Sequence, residues 1–263
     1  MRQTILLDPA DLRSQYAKLK TIGAVAEYFG VSPSTIKKNF KNNHITFKNT
    51  NKLKVNDNFF STDTPHSFYV AGFIAADGNV CKELSIRLSK KDRRHLEKIN
   101  NILQSQRIIR DYPNEYSGVS VLRISSPQII TDLKKFGVIP NKSLIYQFPK
   151  YVIDHPLRHH FMRGYFDGDG SFWIQNQYHH KVCFGLRGTV KFLLAYRDIL
   201  ERECGLPKRK NAVPVYDNCG MLSYGGNKNI SKISDFLYKD ATLFLERKRN
   251  ISLNAPKWLE YND

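Results

Sequence analysis

The sequence predicts an α+β chain in which one pattern, helix then strands then helix then strands then helix, runs twice behind a small all-α unit. Three observations predict it. Two apolar stretches, Ser67–Gly78 and Phe161–Gly170, each place an Asp-Gly pair five residues after a Gly. After each stretch the hydrophobic period switches from helical to alternating and back. The chain of 263 residues also carries a formal net charge of +17, which calls for a polyanionic partner, most often nucleic acid.

Residues 1–48 read as a small helical unit. Asp8-Pro9 caps and starts a first helix with Leu12, Tyr16 and Leu19 on its apolar face. Thr21 opens a second, with Ile22, Val25, Ala26 and Phe29 inward, and Gly30 ends it. Ser32 caps a third whose first position is Pro33 and whose inward residues are Ile36 and Phe40. Helix, glycine turn and Ser-capped basic helix form the helix-turn-helix pattern. Ser34, Thr35, Lys37, Lys38, Asn39 and Lys41 are then expected on the groove side. Residues 49–65 are rich in Asn and Lys and lack a period. They read as a polar, basic linker.

The first repeat is expected over 66–153 and the second over 154–263. In the first, Leu84, Ile86 and Leu88 alternate with Ser85, Arg87 and Ser89, a half-buried strand. A helix follows from about Lys91 to Leu103, then a strand over Val119–Ser125 carrying Arg123, then a helix from Ser126-Pro127 to Phe136 that Gly137 ends. In the second, strands are expected around Phe172–Ile174 and Val182–Leu186. A helix through Phe192, Tyr196 and Leu200 follows, then a strand at Met221–Tyr224 and a helix at Ile230–Leu237. A last helical stretch is expected to reach Leu245.

Each glycine-ended stretch reads as a helix of about three turns closed by a left-handed Gly. Ala71, Gly72, Ala75 and Ala76 leave one face nearly bare, so another backbone can approach closely. Asp77 and Asp169 end these helices, where the dipole disfavours a carboxylate. If the helices pack together, the two acids also repel. A divalent cation between them offsets both costs.

Val70–Gly78 and Met162–Gly170 resemble the nine-residue signature of the LAGLIDADG homing endonucleases, with Ala75 in place of the acidic sixth residue of the first copy and Arg163 at the second position of the other. The resemblance covers about residues 66–254. It implies two tandem αββαββα units packed through the motif helices into a pseudo-twofold saddle over duplex DNA. It implies a monomeric endonuclease that hydrolyses both strands of a long asymmetric site across the minor groove, leaving short 3′ overhangs. Mg²⁺, with Mn²⁺ as a substitute, is the implied cofactor. Asp77 and Asp169 are the implied metal-binding catalytic acids, joined as ligands by backbone at Ala76 and Gly168. In similar enzymes a lysine follows the third helix of each repeat beside the cleavage centre; Lys142 and Lys248 hold those places. A non-cleaving DNA-binding regulator and a maturase acting on intron RNA remain open as alternative functions.

On the implied saddle, Ser85, Arg87, Ser89 and Arg123 lie on the DNA side of the first sheet. Lys181 and Arg187 lie on the second, opposite apolar Val182, Phe184 and Leu186. Arg and Lys can reach guanine edges, and Gln175, Asn176 or Gln177 can read adenine. Cys81, Cys183, Cys204 and Cys219 lie far apart, which suggests reduced thiols rather than a disulfide scaffold. The histidines at 155, 159, 160, 179 and 180 have no zinc-ligand spacing and read as surface groups. The apolar run at the N-terminus is too short for a signal peptide, and no stretch reaches transmembrane length. A soluble intracellular chain is expected, in the cytoplasm of a bacterial or phage-infected host or in an organelle.

Overall fold

The computed structural model describes residues 5–46, 53–113, 118–175, 180–208, 212–216 and 219–257. The chain divides into two compact units, Met1–Leu53 and Lys54–Asp263.

Among the described residues the first unit holds three helices: α1 (Pro9–Leu19), α2 (Ile22–Tyr28) and α3 (Pro33–Asn42). The expected caps form. Asp8 accepts from the amides of Ala10 and Asp11, Thr21 from Ala24, and Ser32 from Thr35. Leu12, Val25, Ala26, Ile36, Phe40 and Ile45 make a separate core. Asn39, expected on the exposed face of α3, is instead fully buried. Its amide side chain donates to the Ile5 and Thr35 carbonyls and accepts from the Leu7 amide, which ties down the segment before α1. An amide between two segments makes hydrogen bonds that solvent would otherwise supply.

The second unit runs α4 (Pro65–Asp77), β1 (Gly78–Val80), β2 (Leu84–Ser89), α5 (Arg93–Ile102), β3 (Arg110–Tyr112), β4 (Val119–Ile124) and α6 (Pro127–Leu133). A short helix, α7 (Lys150–Ile153), leads to the second copy: α8 (Arg158–Asp169), β5 (Gly170–Gln175), β6 (Lys181–Gly188), α9 (Val190–Glu203), β7 (Val215–Tyr216), β8 (Cys219–Gly225) and α10 (Asn227–Tyr238). Two helices follow, α11 (Glu246–Ser252) and α12 (Asn254–Lys257). The sheets have the same antiparallel order, β1-β2-β4-β3 and β5-β6-β8-β7. In each, one face packs inward, with Leu84, Ile86 and Leu88 in the first and Val182, Phe184 and Leu186 in the second.

Two expectations for the second unit change. Part of the expected linker belongs to the folded body. The Asn56 amide donates to the Leu103 carbonyl, and Phe60 is fully buried with its ring 6.4 Å from that of Phe136. Phe59 and Phe60 supply the apolar surface that the Asn- and Lys-rich composition conceals. The last helix also lies later than expected: residues 241–245 are not helical, and α11 begins at Glu246.

Candidate active centre

The centre is built where α4 and α8 cross. A Cβ placed on Gly72 would lie 2.0 Å from the Phe161 carbonyl oxygen, and one on Gly164 would lie 2.0 Å from that of Tyr69. Only glycine at both positions lets the two backbones touch. Asp77 and Asp169 are the last residues of these helices. Crossing at the glycines therefore brings two carboxylates to one spot from opposite halves of the chain. A Cβ on Gly168 would meet the Ala76 Cβ at 2.3 Å and the Asp77 carboxylate at 3.4 Å, which shows how tightly the helix ends are nested.

The glycine after each acid has a different conformation from the one expected. Gly78 has φ −89° and ψ 149°, and Gly170 has φ −98° and ψ 171°, both extended rather than left-handed. Each helix passes directly into a strand. Glycine is needed for space: a Cβ would strike the Ile74 side chain at position 78 or the Phe166 ring at position 170.

Enclosure by surrounding protein, and then the negative charge of Asp169, push the Asp77 carboxyl up to about 6. Enclosure also raises Asp169, opposed by Lys142, Lys248 and a hydrogen bond from Tyr165. Both side chains nevertheless keep exposed surface. Solvent tempers these shifts, and the same opening gives a cation access. Two adjacent carboxylates resisting ionisation, with water able to complete the shell, fit a hard divalent ion.

Lys142 and Lys248 are buried near the two acids, 6% and 3% exposed. Lys142 Nζ donates to the Gly78 carbonyl at 2.9 Å. Lys248 Nζ donates to three carbonyls, those of Phe166, Asp167 and Gly168. Burial lowers both, Lys248 to about 8, and the nearby carboxylates oppose it. The Gly168 carbonyl, expected to face a metal, is shared with the Lys248 ammonium at 3.1 Å. A carbonyl has two lone pairs, so a metal there competes with a cation already in place.

Behind the centre lies a buried network that sequence reasoning missed. Asp167 is 2% exposed; one carboxylate oxygen accepts from the Tyr69 hydroxyl at 2.7 Å and the Leu245 amide at 2.8 Å. Burial pushes this carboxyl up to about 6, against the pull of Lys248. Tyr69 also meets His95 Nε2 at 2.8 Å. Arg163 is 1% exposed, lies over the Tyr69 ring and donates to the carbonyls of Leu237 and Leu243. The signal was present: Arg163 and Asp167, four residues apart within the apolar stretch of the motif helix, lie on one face and need partners. His95 also lines a cavity of about 200 Å³ with Lys91, Arg94 and Arg247, but neither Asp77 nor Asp169 reaches it.

The other expected contact residues are split. Ser34, Lys37, Lys38 and Lys41 are exposed on α3, whereas Thr35 is partly covered beside its cap Ser32. Arg87, Arg123, Gln175 and Arg187 are exposed on the outward sheet faces, with Ser85, Ser89 and Lys181 partly covered. Asn176, Gln177 and His179 lie outside the described residues. His160 is buried rather than on the surface. Among the described residues no cluster of three His, Cys, Asp or Glu side chains forms a metal site, and no helix is long and apolar enough to cross a membrane.

No family model matches the chain, and no curated protein matches its sequence. Solved structures do match its fold. A lysine-to-alanine variant of I-SmaMI aligns with a TM-score of 0.50 and 14% identity, over 75% of this chain and 90% of that one. The homing endonuclease I-WcaI bound to its DNA recognition sequence aligns at 0.51 and 13%, over 74% and 90%. The I-LtrWI LAGLIDADG homing endonuclease bound to target DNA aligns at 0.51 and 12%, over 77% and 90%.

Proposed function

We propose that this chain, which has the fold of the LAGLIDADG homing endonucleases, is a divalent-metal-dependent endonuclease that cuts both strands of a long, asymmetric DNA site. The observation that carries this reading is the convergence of Asp77 and Asp169 at the crossing of α4 and α8, with Lys142 and Lys248 beside them. A structural helix pair needs no such arrangement. It gains nothing from two exposed carboxylates at dipole-disfavoured ends.

Asp77 and Asp169 would hold Mg²⁺, with the backbone at Ala76 and, in competition with Lys248, at Gly168 as further oxygen donors. When bound, the metal supplies an activated water and charge stabilisation at the leaving oxygen. The protein residues do the rest. The carboxylates set where the cation sits. Lys142, with one carbonyl partner among the described residues, would use its remaining ammonium protons to orient a water or neutralise phosphate charge. Tyr165 and the lysines favour the ionised form of Asp169 against the enclosure that raises its carboxyl. The exposed cations of the sheet faces would bind phosphates and base edges. The exposed basic side of α3 would dock on flanking duplex as a helix-turn-helix does. The sequence differences between repeats match an asymmetric target read by one chain.

The test is cleavage selection on a randomised duplex library with Mg²⁺ against an EDTA control. Enrichment of one long site cut only with metal supports the reading. Specific binding without any cut would make the chain a DNA-binding regulator instead.

A further inference from the structure

The outward faces of the two sheets differ in chemistry. On the first, Arg87 of β2 and Arg110 of β3 both pair in register with Val121 of β4. Val121 is left 4% exposed. The surface there is Ser85, Arg87, Arg110 and Arg123, with Ser89, Val119 and Tyr112 in register at one end. On the second, the register puts Trp173 opposite Cys183 and Met221 opposite Arg187. Between them lies Gly185. A Cβ at that position would be 2.6 Å from the Met221 methyl and 2.9 Å from the Trp173 ring. The absent side chain lets Trp173 and Met221 lie down over the strand and meet as one apolar island. Trp173 remains 39% exposed. Gln175 and Lys181, at one end of the same face, and Arg187, at the other, frame the island with polar and cationic groups.

We infer that this island is a base-reading surface for thymine. An exposed tryptophan on a sheet face costs solvation unless something apolar covers it. The cationic frame selects duplex DNA as the cover. β5 starts at Gly170, directly after Asp169, so Trp173 lies four residues along the chain from the acid of the proposed cutting centre. The apolar feature of the major groove is the thymine 5-methyl. The first sheet, with Arg87, Arg110 and Arg123 around Val121 and its other apolar residues, Val119 and Tyr112, at one end, suits guanine edges instead. The two half-sites therefore differ in composition: the half under the second sheet carries thymines whose methyls meet Trp173 and Met221. This inference rests on the reading of the chain as a duplex-binding protein.

The experiment replaces thymidine by deoxyuridine, one half-site at a time, in the duplex obtained by selection. Deoxyuridine pairs identically and lacks only the methyl. Affinity of the wild-type protein should fall by about fourfold per contacted methyl in the half under the second sheet, and stay unchanged in the other half. Trp173→Ser, whose side chain is partly exposed, should discriminate less between the thymidine and deoxyuridine duplexes in that half than the wild type does, keeping only what Met221 contributes; a melting curve confirms that it folds. Specific binding with no deoxyuridine effect in either half overturns the inference and leaves the nuclease reading standing. Failure to select any specific duplex overturns both.

Discussion

The two motif helices end alike and are supported differently. α4 and α8 each finish on an Asp, each turn into a strand through an extended Gly, and each contribute one glycine to the crossing. Behind those shared features the first helix has Ala71 and Ala75 where the second has Arg163 and Asp167. The first lysine, Lys142, touches one carbonyl, and the second, Lys248, touches three. Connectivity supplies a physical reason. The segment bearing Lys142 runs on through Tyr146, whose ring stacks on Tyr165, into α7 and α8. It is held at both ends. The segment bearing Lys248 is held by side chains: Arg163 binds the Leu237 and Leu243 carbonyls, and Asp167 binds the Leu245 amide. Reacting groups are duplicated, whereas the groups that place them answer to the local path of the chain.

The largest effect should fall where the halves are alike. Asp77→Asn and Asp169→Asn should each lower double-strand cleavage by about 10³-fold or more, since each removes one negative ligand from a shared cation. Specific binding should survive, because it comes mainly from phosphate contacts elsewhere. Strand-resolved single-turnover assays beside salt-titrated binding measure both. Loss of only one nick in one variant would show that each acid serves its own strand.

The lysines should separate the halves. Lys248→Met removes an ammonium whose three protons all meet carbonyls at the end of α8 and leaves the buried Asp167 less compensated. It should cost about 2–4 kcal/mol of stability, read as an earlier denaturant midpoint. Lys142→Met loses one hydrogen bond and should cost about 1 kcal/mol. Its rate at saturating DNA should fall by about 10²–10³. Equal stability losses with equal rate losses would make the two lysines equivalent.

The repeat and its acids were legible because they rest on short-range rules: a helical period, an Asp-Gly stop, a strand alternation. The Gly conformations were misjudged because a glycine after a helix also serves a turn too tight for a Cβ, and only the neighbouring Ile74 and Phe166 reveal that. Asn39 looked like a groove contact because its partners, Ile5 and Leu7, lie far back in sequence. β1, β3 and β7 span two or three residues, too few to show alternation. Asp167 passed unremarked because its role depends on Tyr69 and Leu245, 98 and 78 residues away.

The smallest expected effect is a pH profile that tests whether the buried charge of the second half is real. Without divalent metal, Asp77 and Asp167 have folded-state carboxyls raised to about 6. A carboxyl so raised binds protons more tightly in the folded state, so stability falls as pH rises from about 4 to about 6. Lys248, lowered to about 8, has the opposite effect: the unfolded chain holds that proton longer, so stability rises from about 8 towards 10. Thermal melts should show a shallow minimum near neutral pH. Mg²⁺ should lift the part owed to Asp77, because the ion favours the ionised form. Asp167→Asn should remove a larger part, about 1–3 kcal/mol, because this carboxyl has no solvent to share its charge and its first-repeat counterpart is Ala75. Asn can still accept from Tyr69 and Leu245, so the fold should persist. An unchanged acid-side slope in Asp167→Asn would mean that Arg163 and Lys248 already neutralise this charge, and that the two halves are electrostatically equal despite their different residues.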